Sequence, residues 1–185
     1  MPLHVFEPRY KEMVGDALGS HRTIGMVLLK PGYEEDYQGR PPIYPLGCTG
    51  TIVEEERLGD GRFNILLLGQ TRFRVLEERG GGAYRLAQVE ELPDPTGDTS
   101  SLDALRERLV AAILRLTGGD PLAGLRGDVS PAALVNGLAQ GLDLAPLEKL
   151  SLLECDTLEL RALRLLELLD FHALERAAGP SGTLH

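Results

Sequence analysis

The sequence predicts an α+β protein in which a β-rich first half is segregated from an all-helical second half. Three observations predict it. Between Thr23 and Leu92 the apolar residues fall in short alternating runs punctuated by Asp-Gly and Gly-Gly steps. The stretch PDPTGDTSS (93–101) then breaks the pattern with two prolines, a glycine and polar residues. Beyond it every apolar run has helical spacing, bracketed by serine, proline, aspartate or glycine. These signals set a β-rich subdomain over 1–95, a helical subdomain over 96–180 and a frayed tail over 181–185.

The chain opens with PLHVFEPRYKEMV, a short extended run followed by an acid–proline step. Pro8 suits a first helical turn, where its missing N–H would have had no partner. Tyr10, Met13, Val14, Ala17 and Leu18 form one apolar stripe, and Gly19 supplies a stop. Val5 and Phe6 are expected to dock the entry of this helix on the core. TIGMVLLKPG is a β-prone run, and YEEDYQGRPPIYPLG a loop without regular structure. Four strands in a meander follow, near 48–58, 62–69, 71–79 and 84–92. Asp60-Gly61 is the hairpin signal between the first two, and Gly69-Gln70 and Gly80-Gly81-Gly82 mark the next two turns.

The helical half begins with SLDALRERLVAAILRLTGG, capped by Ser101, with Asp103 in its first turn and a close on Gly118-Gly119. SPAALVNGLAQGL follows with Ser130 as cap and Pro131 at the first turn, then the short amphipathic APLEKLSLLEC. A last helix runs from Asp156 to near Gly179. Its leucines at 158, 160, 163, 165, 166, 168 and 169 cover more than one face, which predicts packing on two sides.

Hydrophobic content of 43% and charged content of 25% are those of a globular chain, and 185 residues suffice for a core without disulfide or metal. The net charge of −9 opposes a nucleic-acid partner. Neither half is basic: residues 1–92 hold 14 acids and 11 bases (net −3), the remainder 14 and 8 (net −6). Cys48 and Cys155 lack C-x-x-C spacing and read as reduced thiols in a cytoplasmic protein. No signal-peptide pattern opens the sequence, and no apolar run reaches the ~20 residues of a membrane span.

Motifs for catalysis are absent from the sequence. GGGAYR has the glycines of a phosphate loop but neither its lysine nor a helix behind it, and reads as a hairpin turn. Ser20 beside His21 gives no base aimed at a hydroxyl. His4, His21, His172 and His185 form no i, i+4 pair and no H-E-x-x-H, and EED (34–36) and EEE (54–56) read as solvated faces. No metal site and no cofactor is expected. What remains is surface: the tyrosines of YEEDYQGRPPIYPLG either lie over the edge of a barrel or form a protein-contact surface.

Five blocks in order, PLHVFEPRYKEMV, IGMVLL, GRPPIYPLGCTGTI, LGDGRFNILLLGQTRFRV and YRLAQVEEL, resemble the N-terminal substrate-recognition domain of Lon-type ATP-dependent proteases. The likeness extends to the bacterial proteins that consist of that domain alone. LEKLSLLECDTLELRALRLLELL resembles the family's helical portion more weakly. The resemblance implies a PUA-like antiparallel β-barrel carrying one helix, followed by a C-terminal helical bundle. It also implies recognition of unfolded or damaged polypeptide by a domain with no catalytic residues, the ATPase and peptidase lying elsewhere in the full-length enzymes. In the family a strand usually precedes the block matching PLHVF. Either the start is assigned late or that strand is missing, and a missing strand would leave an open sheet edge, filled by a second copy or an extended peptide.

The expectation is therefore a non-catalytic polypeptide- or protein-binding module. Its candidate binding residues are Phe6, Arg9 and Tyr10 around the opening helix, with Tyr33, Tyr37, Arg40 and Tyr44 on the loop. The alternatives are an RNA-binding PUA-like domain, which the acidity opposes, and a small hydrolase with an unrecognised site.

Overall fold

The structure, a computed structural model, describes residues 1–37, 39–80, 82–93, 100–117 and 129–178. It comprises two compact units, Met1–Pro93 and Asp94–His185. The first contains β1 (Pro2–Val5), α1 (Pro8–Leu18), β2 (Thr23–Leu29), a 3-10 turn (Tyr33–Asp36), β3 (Ile43–Arg57), β4 (Phe63–Arg79) and β5 (Leu86–Leu92). The strands form one open antiparallel sheet in the order β1-β4-β3-β2, with β5 also on β4. β3 pairs with both halves of β4, so β1 and β5 must share the opposite edge of that strand, one after the other. Among the described residues β1, β2 and β5 each pair on one side only.

The helix stripe behaves as its spacing dictates. Val14 and Ala17 are buried with Val5, Ile24, Ile52, Phe63, Ile65 and Leu67, and Tyr10, Met13 and Leu18 pack against them. Glu7 caps α1 in extended conformation and Pro8 takes the first turn. Gly19 ends the helix in right-handed geometry (φ −77°); the left-handed residue is Arg22 (φ 55°), whose N–H bonds the Ala17 carbonyl at 2.8 Å. Phe6 departs from expectation. The alternation of β1 turns Leu3 and Val5 inward, and Phe6 stays 61% exposed, stacked on His4 with centroids 6.2 Å apart.

Two further corrections concern strands. Gly69-Gln70 is no turn: β4 runs through it as one strand of 17 residues. Gly50 pairs with Gly69 and Cys48 with Arg72, which leaves Gln70 and Thr71 opposite Thr49, a bulge in β4. The Thr49 hydroxyl both donates to the Thr71 carbonyl and accepts its N–H, each at 3.1 Å, so the ladder closes through a side chain. A second irregularity between Ile52 and Glu54 adds a residue to β3 and restores the register. The tyrosine-rich segment is also more regular than expected. Tyr33–Asp36 is a 3-10 turn, and β3 starts at Ile43, placing Tyr44 on a strand. Pro45 falls in the irregularity opposite Val27–Leu29, where its missing N–H costs no ladder bond. β5 pairs antiparallel with β4, with Arg79 facing Leu86, and Gly81 of the expected Gly80-Gly81-Gly82 turn lies outside the described residues.

The second unit contains α2 (Ser100–Thr117), α3 (Pro131–Gly141), α4 (Pro146–Leu153) and α5 (Leu158–Ala178), around a core of Leu109, Ala112, Ile113, Val135, Leu152, Ala162, Leu165 and Leu169. α5 packs against the other three helices, so its apolar face is wide; of its leucines, Leu160 and Leu174 are exposed. Ser130 Oγ accepts the Ala133 N–H at 3.2 Å, as a cap should. α2 starts one residue before the serine read as its cap, and α5 is capped by Thr157 Oγ1 on the Leu160 N–H (3.2 Å) rather than by Asp156. The expected stops at Gly118-Gly119 and Gly179, and the tail 181–185, lie outside the described residues. Cys48 and Cys155 are each partly buried, and their thiols donate to the Thr49 carbonyl at 3.3 Å and the Ser151 carbonyl at 3.4 Å.

Candidate functional site

Four of the seven candidate residues meet in one cluster, and the residue that joins them is one sequence reasoning missed. Glu7, the cap of α1, makes no cap bond with its side chain, which instead faces the Tyr33–Tyr37 segment. Tyr37 Oη donates to Glu7 Oε1 at 2.7 Å. Arg9 Nε donates to Glu7 Oε2 at 3.1 Å, and Arg9 Nη1 to the Tyr37 carbonyl at 3.0 Å. The guanidinium lies 4.7 Å from the Tyr10 ring centroid and 4.9 Å from that of Tyr37, within cation–π range of both. Tyr33 leans on Tyr37 with centroids 6.1 Å apart. The result is a closed circuit that clamps the segment after β2 onto the start of α1. The acid–proline step that opens α1 was the available signal for Glu7.

Arg40 and Tyr44 stand apart from the clamp. The Arg40 N–H bonds Asp36 Oδ2 at 3.2 Å, while its guanidinium reaches the Arg79 carbonyl at 3.5 Å, over the β4–β5 turn. Tyr44 is half buried on β3 beneath Lys30 Nζ, 5.8 Å from its ring. A second unanticipated anchor is Arg85: it pairs with Glu78 at 2.6 Å and donates to the Pro41 carbonyl at 2.6 Å. Arg9 of α1 and Arg85, just before β5, thus hold the segment from outside, and Arg40 ties it to the end of β4.

The clamp shifts its own titrations. Tyr37 is raised above an ordinary tyrosine, first by its hydrogen bond to Glu7 and then by burial, because a phenolate would face a carboxylate. Arg9 is also raised: burial alone would lower it, but Tyr10, Glu7 and the hydrogen bonds of Tyr37 and Glu7 outweigh that. Tyr84, bonded to Asp16 Oδ2 at 2.7 Å, is raised for the same reason as Tyr37. A group whose neutral form is favoured on folding contributes stability while protonated and loses it as pH climbs past its unfolded value of about 10. Spectrophotometric titration at alkaline pH should show tyrosines ionising later than free tyrosine. Tyr37→Phe should remove one of them and flatten the alkaline fall in stability; an unchanged late fraction in that variant would contradict the clamp.

Among the described residues no group of three or more His, Cys, Asp or Glu is gathered to hold a metal, and no helix is long and apolar enough to cross a membrane. The clamp brings aromatics and a cation together at the start of α1.

The family model for the ATP-dependent protease La (LON) substrate-binding domain matches residues 1–170. The chain belongs to this LON substrate-binding domain family. Among curated relatives, Lon protease 2 of Myxococcus xanthus is 27% identical over 177 residues, covering 92% of this chain and 21% of that protein. Lon protease of Paraburkholderia phytofirmans is 29% identical over 164 residues, covering 83% and 20%. The chain therefore spans about one fifth of the length of the Lon proteases it matches. Among solved structures, a Lon N-terminal domain protein from Xanthomonas campestris superposes with TM-score 0.61 at 26% identity, over 90% of this chain and 88% of that one. The N-terminal domain of a Mycobacterium avium complex Lon protease superposes with TM-score 0.65 at 20% identity, over 95% and 90%, a likeness of fold. The sheet with its helix and the four later helices is thus the LON N-terminal domain fold.

Proposed function

We propose that this LON-family domain holds extended, partly apolar polypeptide in the cytoplasm and alters no bond in it. The reading takes residues 1–95 as a PUA-like barrel that presents the contact surface and 96–180 as a helical bundle. The observation that carries it is the match of the substrate-binding family model over 1–170. Support also comes from the contact surface around α1, where Phe6 stands exposed beside the rigid Glu7–Arg9–Tyr37 clamp. Within the candidate set, Phe6 makes the apolar contact, and Arg9, Tyr10, Tyr33 and Tyr37 keep the surface in shape. Arg40 and Tyr44 extend it toward the β4–β5 turn. Strand addition at an open edge, by substrate or by a second copy, belongs to the same reading. β1 is a poor edge, four residues long with Pro2 lacking an N–H, whereas β2 offers seven residues without proline or charge. The RNA alternative is disfavoured by the net charge of −9 and by the family.

The test is retention of a chemically unfolded model protein, and not its native form, on immobilised domain. Phe6→Ser should lower affinity by about 1–2 kcal/mol, the apolar burial lost from one half-exposed phenyl ring, with no change in unfolding midpoint. Tyr37→Ala and Tyr44→Ala should also lower retention, Tyr37→Ala by loosening the clamp. Equal retention of native and unfolded protein would sink the reading, as would turnover of peptide or ATP by the purified domain that a single side-chain change abolishes.

A further inference from the structure

Strand alternation puts Val5, Phe63, Ile65 and Leu67 under α1 and turns their neighbours to the opposite face. There a shallow groove of about 560 Å³ is lined by Pro2, His4, Glu54, Glu56, Asn64 and Leu66. The register sorts these six into two rows across β1, β4 and β3: Pro2, Leu66 and Glu54 in one, His4, Asn64 and Glu56 in the next.

The second row is internally satisfied. Arg62 Nη1 lies 3.2 Å from His4 Nε2, His4 Nδ1 lies 2.7 Å from Asn64 Oδ1, and Asn64 Nδ2 donates to Glu56 Oε2 at 2.7 Å. Those directions agree only if His4 is neutral with its proton on Nδ1, so the row is a fixed polar wall. Glu55 is engaged by Arg22. The first row is different. It runs from two apolar side chains to the Glu54 carboxylate, which has no hydrogen-bond or ion-pair partner among the described residues.

We propose that this groove receives an arginine- or lysine-bearing stretch of extended polypeptide. The methylenes of a long basic side chain laid along the row rest on Pro2 and Leu66, and its charged head meets Glu54. Two interstrand steps of about 4.8 Å separate Pro2 from Glu54, a span suited to such a side chain. Carboxylates at the rim repel phosphate, which excludes a nucleic-acid strand from the same groove. The inference rests on the polypeptide-holding reading and gives it a chemical preference: apolar sequence interrupted by base rather than by acid.

The test uses the whole chain and two fluorescein-labelled decapeptides of alternating leucine and serine, with a central arginine or a central glutamate. Anisotropy at low salt should show the arginine peptide bound more tightly. Glu54→Gln should weaken it about fivefold, the scale of one exposed ion pair, and Glu54→Lys about tenfold or more. Both variants should unfold like the wild type, since Glu54 is exposed. Equal binding of the two peptides by wild type, or of the arginine peptide by wild type and Glu54→Lys, overturns the proposal. Retention of an unfolded model protein by wild type is measured in parallel. If retention persists while the peptides are not discriminated, only the groove assignment falls; if retention is also absent, the broader reading falls with it.

Discussion

Gly47→Ala is expected to destabilise the first unit by about 2–4 kcal/mol, although it adds only one methyl group. A Cβ at Gly47 would lie 2.3 Å from the Met26 carbonyl oxygen, 2.6 Å from the Phe73 ring and 2.7 Å from a Val27 methyl. Two of those neighbours are side chains that could shift, but the nearest is backbone of the paired strand β2. Gly47 pairs with Val27 on one side and Phe73 on the other, so relief of the clash requires β2 and β3 to separate where the sheet edge is anchored. Backbone conformation is not the reason, since Gly47 is absent from the positive-φ glycines; space is. Gly25→Ala is the graded comparison. Its Cβ would meet only the Phe73 ring, at 3.1 Å, and a side chain can turn away, so its cost should be well below that of Gly47→Ala. Urea denaturation of the two variants checks the order. Phe73→Leu combined with Gly47→Ala should recover only part of the loss, because the Met26 carbonyl stays in place. Full recovery would mean that the ring alone sets the constraint.

The same glycines show how much the sequence disclosed. The apolar stripe of α1, the Asp60-Gly61 hairpin and the Ser130-Pro131 helix start were legible because each rests on local chemistry: spacing, turn geometry, a cap within three residues. Gly69-Gln70 was misread because a glycine between two alternating runs signals a bulge as readily as a turn. The distinction depends on Thr49, twenty residues away, whose hydroxyl closes the ladder around Thr71. The candidate site divides in the same manner. Tyrosine and arginine content marked the segment, but the partner that organises it, Glu7, is 30 residues from Tyr37 and looks like an ordinary helix cap. Phe6 was placed in the core on hydrophobicity, whereas the alternation already visible in LHVF assigns it to the outer face.

In the helical unit the largest effect is expected from Arg161, a charged residue only 5% exposed. Its Nε donates to the Leu152 carbonyl at 3.2 Å, in the last turn of α4, and its Nη1 to Asn136 Oδ1 of α3 at 3.0 Å. One side chain on α5 therefore binds the end of one helix and the side of another. Arg161→Ala removes the packed stem and the bonds to the buried Leu152 carbonyl and to Asn136, two costs that add; about 3–4 kcal/mol is expected. Arg161→Lys keeps the charge but not the planar fork, so it can serve one of the two partners and should cost about 1–2 kcal/mol. Asn136→Ala tests the connection independently. If the guanidinium couples α3 to α5, the loss in Asn136→Ala and that in Arg161→Ala should fall short of additive in the double variant. Strict additivity would show that the two residues act separately. A loss below about 1 kcal/mol for Arg161→Ala would show that the guanidinium is solvated in solution and that leucine packing alone joins these helices.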